Sequence, residues 1–189
     1  MQLPIDTALI VIDVQQGFLD PRWGERNNPQ AEQQIAKLLH AWRSLGLPVI
    51  HVQHDSRSPS GAFVPGTPGH QPKPEAMPLP HEPVHHKSVN SAFIGTTLEA
   101  ELRSRDIGTL VITGLTTNHC VSTTARMAGN FGFDTYVVSD ATATFARPTL
   151  DGRPRPAQDV HDAALSDLND EFAHIVSTAD VLAALARLA

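Results

Sequence analysis

Short apolar, β-branched runs alternate along the chain with stretches in which apolar residues recur every three or four positions. ALIVIDV at 8–14, LPVIHVQH at 47–54, TLVITG at 109–114 and DTYVVSDA at 134–141 are runs of the first kind. They are the pattern of strands covered on both faces. EPVHHK, ending at Lys87, and HIVS at 174–177 read as two shorter strands. Between them Ile35, Leu38, Leu39 and Trp42 place a helix within 29–45, stopped by Gly46 and Pro48. Leu98 and Leu102 mark a helix over 95–105, and Val121, Thr124, Ala125 and Ala128 mark one that starts near Asn118 and closes at Gly129 and Gly132. Val160, Ala164, Leu165 and Leu168 support a helix from Ala157 to Phe172, and TADVLAALARLA forms the last, over 178–189. Strands and helices in this alternation predict an α/β fold: a doubly wound, mainly parallel six-stranded sheet with helices on both faces, in three layers. The 189 residues suit a single domain, 1–189, with room for a full core.

The interval 55–83 breaks the pattern. Eight of the fifteen prolines lie between Pro59 and Pro83, with Gly61, Gly66 and Gly69 among them. Proline removes backbone donors and glycine permits unusual dihedrals, so no strand ladder is expected there. A loop this long inside a compact domain covers a site or meets another copy of the chain, and the residues leave both open.

Charge and composition narrow the partners. Lys and Arg number 14 against 20 Asp and Glu, a net charge of −6, so no basic face for nucleic acid is expected. The longest apolar runs are too short to span a bilayer. The opening MQLPIDTALIVIDV lacks the basic flank and small-residue cleavage site of a signal peptide. One cysteine permits no internal disulfide, which fits a reducing compartment. A soluble cytoplasmic protein is the expectation, with no membrane or nucleic-acid partner.

Three chemically able residues stand at strand ends. Cys120 lies where TLVITG turns into a helix, with Thr116, Thr117 and Asn118 available as caps. In a first helical turn, free N–H groups and the helix dipole favour a thiolate. A lone cysteine is more often a small buried core residue. Asp13 ends the first strand, where a simple turn acid is the ordinary outcome, and Lys87 ends the short strand, where a solvated ammonium is. If the first and fourth strands are neighbours at a topological switch point, all three converge over one crevice. The ammonium would then lower the thiol pKa below its usual value of about 8.5. The carboxylate would take the thiol proton and return it to a leaving amine. His119 is a poorer base for Cys120, because neighbouring helical residues diverge by roughly a quarter turn. His85 and His86, adjacent on a strand, point to opposite faces and cannot readily share an ion. A redox-active thiol would call for a second, resolving cysteine, which is missing. A catalytically silent small-molecule binding domain on the same sheet stays open.

The motifs ALIVIDVQQGF, HHKSVNSAF and GLTTNHCVSTTARMA followed by VVSDA, in this order over nearly the whole chain, resemble those of the isochorismatase-like cysteine hydrolases. The resemblance implies that Asp13, Lys87 and Cys120 form a catalytic triad and that the Leu115–Thr116 peptide is cis. It also implies an oxyanion hole made by the backbone N–H groups of Thr116 and Cys120. Isochorismatases proper, which cleave a vinyl ether, lack the cysteine, so the amide-hydrolysing members are the better match. A C–N bond would be cleaved through a thioester. The family's nicotinamidases carry an Asp-x-His motif, with further histidines, that holds a metal near the second strand. Here that stretch reads HVQHDSRSPSGAF without the spacing. No metal and no other cofactor is therefore expected; His51, His54 and His86 are the candidates if one binds. A metal-assisted, nicotinamidase-like amidase is the alternative. Phe18 and Phe93 follow the aspartate and lysine motifs closely and are expected to line the substrate site. The expected partners are a small-molecule amide and further copies of the chain in a homo-oligomer.

Overall fold

Among the described residues the elements run β1 (Ala8–Ile12), α1 (Ala31–Ser44), β2 (Val49–His54), β3 (Val84–Lys87), α2 (Leu98–Ser104), β4 (Thr109–Leu115), α3 (Ser122–Asn130), β5 (Asp134–Ala143), α4 (Ala157–Ser166), β6 (His174–Val176) and α5 (Thr178–Leu185). The structure is a computed structural model that describes residues 3–188. Met1 and Gln2 of the opening segment and Ala189 of the last predicted helix lie outside the described residues. The strands form one sheet in the order β3-β2-β1-β4-β5-β6, parallel throughout.

The unbroken apolar runs are explained by burial on both faces. All five residues of β1 are buried, and successive side chains point to opposite faces. Leu9 and Val11 pack with Ile35, Leu38, Leu39 and Trp42 of α1 and with Val181 and Leu185 of α5. Ala8, Ile10 and Ile12 pack with Leu98 and Leu102 of α2, Val121 just before α3, Ala125 within it, and Leu165 of α4. Each large side chain so buried contributes roughly 1.5–3 kcal/mol. Trp42 is fully covered, and its indole N–H is satisfied by Thr7 O at 3.0 Å.

Several boundaries differ from the sequence reading, three of them instructively. The first strand ends at Ile12, because Asp13 takes a left-handed backbone with φ 52° that turns the chain out of the sheet after its N–H has made a last bond to β2. The helix α4 ends at Ser166 and not at Phe172. The chain turns there through Asp170, also left-handed at φ 63°, which sets His174 opposite Tyr136. Leu168 is buried nonetheless, so the apolar spacing reported burial correctly and helix length wrongly. The strand β5 continues past Asp140 to Ala143, after a register shift against Ile112 and Gly114 of β4.

The segment between β2 and β3 is irregular, with single 3-10 turns at Pro68–His70 and Pro74–Ala76. It is pinned against the turn that follows β1. Gln16 N donates to Gln71 O at 2.8 Å and Lys73 N to Val14 O at 2.9 Å. Gln15 Nε2 donates to His70 O at 2.9 Å. The Lys73 ammonium reaches buried Glu32 of α1 at 2.5 Å, and Arg26 grips the same carboxylate. The two cations hold the Glu32 carboxyl at a pKa of about 2 against a burial penalty that would raise it. The backbone approach is close enough that a Cβ at Gly69 would lie 2.3 Å from Ala62 O. Of the two roles open to this loop, the contacts place it beside the end of β1.

Candidate active site

The order of strands reverses between β1 and β4. The chain moves outward from β1 through β2 to β3, then returns to the other side of β1. The crevice over the carboxyl ends of β1 and β4 is where a sheet of this kind accepts ligands. At this seam the two strands come so close that a Cβ on Gly114 would sit 1.9 Å from Ile12 O, and the residue holds φ 116°. No other residue type fits there.

Asp13 stands immediately beyond β1. Its strained left-handed backbone costs on the order of 1 kcal/mol or more, a kind of strain that collects at functional positions. Its N–H is held by Val52 O at 2.9 Å. Lys87, the last residue of β3, reaches across the end of β2 and donates from Nζ to Asp13 Oδ2 at 2.6 Å. The lysine and aspartate side chains are 0% and 1% exposed. His54, opposite Lys87 in the β2–β3 register, lies between them, with Nδ1 3.3 Å from Lys87 Nζ. An ammonium has no acceptor, so Nδ1 accepts and the imidazole is neutral. Burial first, and then the Lys87 charge, hold the His54 pKa below its ordinary value, in agreement.

Cys120 arrives from β4 through one wide turn, Thr117–Val121, in which Val121 N bonds back five residues to Thr116 O at 3.2 Å. Sequence spacing placed the thiol in the first turn of an α-helix; the wide turn comes before α3 begins. The Leu115–Thr116 peptide is cis. Side-chain contacts fix the turn on two sides: Thr117 Oγ1 to His161 Nδ1 at 2.8 Å, and Thr144 Oγ1 to Asn118 Oδ1 at 2.5 Å. Ligand atoms of Cys120, Asp13 and His54 all lie within 4.8 Å of one another. Among the described residues Asp13 Oδ1 is buried with no hydrogen-bond partner at ordinary distance, and the thiol of Cys120 is the group nearest to supply one.

The electrostatics correct one expectation. Burial, followed by the Asp13 charge, pushes the Cys120 thiol far up, and Lys87 offsets this only in part. The ammonium is engaged by Asp13, so the resting sulfur keeps its proton. Burial also raises the Asp13 pKa against the opposing pull of Lys87. A carboxylate with increased proton affinity next to a protonated thiol is an arrangement for transferring that proton during attack.

Phe18 and Phe93 are both nearly buried, and they fall in different apolar clusters on opposite faces of the sheet. Phe18 packs on Phe63 at 4.7 Å, and Phe63 meets the His54 ring edge-on at 5.8 Å. Phe93 packs on Phe131 at 5.3 Å and shares its cluster with Val121 and Cys120.

Sequence reasoning missed two supporting residues. Gln15 accepts from His54 N at 2.8 Å and donates to His54 O and His70 O, so one buried amide fixes the end of β2 and the loop together. His54 shares Lys87, although it was considered only as a metal ligand. Neither pairing has a signal in a single sequence, because each joins segments roughly 30 or more positions apart.

The three histidines nominated for a metal are dispersed. His51 is buried against Glu82 at 2.9 Å. His54 belongs to the lysine, and the ammonium disfavours a second cation among Asp13, His54 and Cys120. His86 instead joins Asp55 at 2.9 Å, where His70 also bonds the same oxygen at 2.7 Å. Asp55, His70 and His86 have the donor types and spacing for a divalent cation. His85, the neighbour of His86, turns away to Glu101 at 2.9 Å, as strand alternation requires.

A family model described as the isochorismatase domain matches residues 7–180. The uncharacterized isochorismatase family protein YrdC of Bacillus subtilis is 50% identical over 171 residues, 90% of this chain and 91% of its own. A solved structure of an isochorismatase-family protein from Chromobacterium violaceum is 46% identical and superposes with a TM-score of 0.97, covering 99% of this chain and 97% of that one. Nicotinamidase 3 of Arabidopsis thaliana is 28% identical over 89% of this chain and 83% of its own.

Proposed function

The chain belongs to the isochorismatase family of hydrolases, and from that premise we propose that it is a cysteine hydrolase cleaving the C–N bond of a small amide. The observation that carries this reading is the buried Asp13–Lys87 pair at 2.6 Å with the Cys120 sulfur within 4.8 Å of the carboxylate. A simple turn acid and a surface lysine would not be brought out of water together, since that costs several kcal/mol per ion.

Cys120 Sγ attacks the carbonyl carbon as Asp13 takes its proton. The carbonyl π electrons move to oxygen, which the backbone N–H groups of Thr116 and Cys120 hold. Collapse breaks the C–N bond; the amine leaves with the proton from Asp13, and a thioester remains. Water then attacks the thioester carbon, Asp13 takes the water proton, and the thiolate leaves and recovers its proton from Asp13. Lys87 orients the carboxylate throughout. Neutral His54 does not compete for the proton.

Turnover of a panel of amides, ureides and carbamoyl compounds tests the reading. A hydrolase turns over at least one class; a silent binding domain turns over none.

A metal-assisted amidase is the second reading, favoured by the convergence of Asp55, His70 and His86. An ion held there would polarise a nearby substrate atom, and no step above needs it. Activity is expected to persist after exhaustive dialysis against EDTA. Loss on chelation with recovery on adding zinc or manganese would establish the second reading and point to those three residues.

Phe18 and Phe93 are proposed to shape the substrate site, Phe18 through Phe63. Phe18→Ala is expected to change relative rates across the amide panel in addition to its core cost of about 3–5 kcal/mol. If only stability falls and relative rates hold, Phe18 is a core residue alone.

A further inference from the structure

We propose that the arginine-lined cavity beside the Cys120 turn is a subsite for a carboxylate carried by the substrate, a reading that rests on the proposed amide hydrolysis and narrows its substrate class. The cavity is about 650 Å³ and is lined by Asn118, His119, Arg147, Arg153 and Arg155, with Asp151 as its single acid. Its volume is that of a small-molecule site. Asn118 and His119, the two residues before Cys120, form part of its wall, so the cavity opens beside the turn that carries the nucleophile.

Three guanidinium groups face one carboxylate, on a protein whose net charge is −6. Asp151 is committed to Arg153 at 2.8 Å and to the Thr149 hydroxyl. Arg147 and Arg155 have no carboxylate partner among the described residues. Arg147 Nη1 contacts His119 Nε2 at 2.5 Å. A guanidinium only donates, so this imidazole nitrogen accepts and the ring is neutral. Its pKa is lowered by burial first and Arg147 second, which agrees. The ring therefore adds no competing charge. Arg155 Nε is buried with no hydrogen-bond partner among the described residues. Such an orphaned donor costs about 1–3 kcal/mol.

The presenting loop is fixed before any ligand arrives. Arg147 N donates to Arg155 O at 3.0 Å and Thr149 N to Arg153 O at 2.9 Å, which sets Arg147 and Arg155 side by side. Ala146 N is tied to Glu25 O at 2.7 Å. Two neighbouring planar forks without acids of their own match a carboxylate, which guanidinium binds bidentately. An amide with a carboxylate at its far end would place the anion among these arginines and the carbonyl at Cys120.

The test has two arms. In the first, turnover of succinamate is compared with that of butyramide, which lacks only the carboxylate, in the wild type and in Arg147→Met and Arg155→Met. Wild type should prefer succinamate at least tenfold in kcat/KM, chiefly through KM, and each replacement should erase that preference while leaving butyramide rates within about twofold. In the second arm, succinate binding to the Cys120→Ala protein is measured by calorimetry, which needs no turnover. Binding should weaken at least tenfold on adding Arg147→Met or Arg155→Met, with melting temperatures confirming that both variants fold. Failure of succinate to bind, or equal Kd values with and without the arginines, overturns the subsite. If succinate binds through the arginines but no amide is turned over, the subsite stands and the hydrolase reading falls.

Discussion

Cys120→Ala is expected to lower amide turnover by about 10³-fold or more while the protein stays folded, the scale seen when a hydrolase loses its nucleophile. The thiol is half-buried at the edge of one apolar cluster, so its removal leaves little cavity. The same geometry sets the reactivity of the sulfur. With Lys87 bound to Asp13 at 2.6 Å and burial raising the thiol pKa, alkylation by iodoacetamide near neutral pH should be slow. Asp13→Asn removes a negative charge that holds the thiol proton on and releases Lys87 toward the sulfur. Alkylation should therefore quicken in Asp13→Asn while amide hydrolysis stops for want of a proton carrier. A variant that both labels and hydrolyses faster would show that Asp13 has no part in proton transfer.

The second large effect concerns the buried pair. Lys87→Met leaves Asp13 in a site where both side chains are almost wholly covered. Breaking such a pair from one side costs about 3–5 kcal/mol, because the remaining charge is buried without a counterion. The Asp13 pKa, already raised by burial, rises further once its cation is gone, so the carboxyl becomes neutral and cannot accept the thiol proton. Activity and stability should fall together. The double variant Asp13→Leu, Lys87→Met should regain most of the stability, since apolar replacement of a whole buried pair is often neutral or better. It should regain no activity. Denaturant unfolding of Lys87→Met, Asp13→Leu and the double variant measures this, and a double variant that loses the sum of both single effects would mean that the two side chains are not energetically coupled, against this account.

The sheet was legible because burial on both faces writes itself as unbroken apolar runs, as in ALIVI of β1 and TLVI of β4. The same runs placed Asp13, Lys87 and Cys120 at or just beyond strand ends, and their expected convergence was conditional on β1 and β4 being neighbours, which those strands are. Less was legible where the backbone itself decides. Nothing in TTNHC distinguishes a wide turn from an ordinary first helical turn. The early end of α4 at Ser166, followed by the left-handed Asp170, leaves the spacing of Leu165 and Leu168 untouched. The partners of His54 and His70 could not be inferred, since Lys87 and Asp55 meet them only after the 55–83 loop folds back. The thiol pKa was misread for a related reason: residue types place a lysine near a cysteine, but only coordinates reveal that an aspartate already occupies it.

The most direct measurement is rapid acid quenching of the enzyme during turnover of a slow amide, followed by mass spectrometry of the peptide containing Cys120. A transient mass increase equal to the acyl group, confined to that peptide and absent from Cys120→Ala, is the expected result. Product formation with no adduct on Cys120 at any quench time, together with normal turnover by Cys120→Ala, would contradict it.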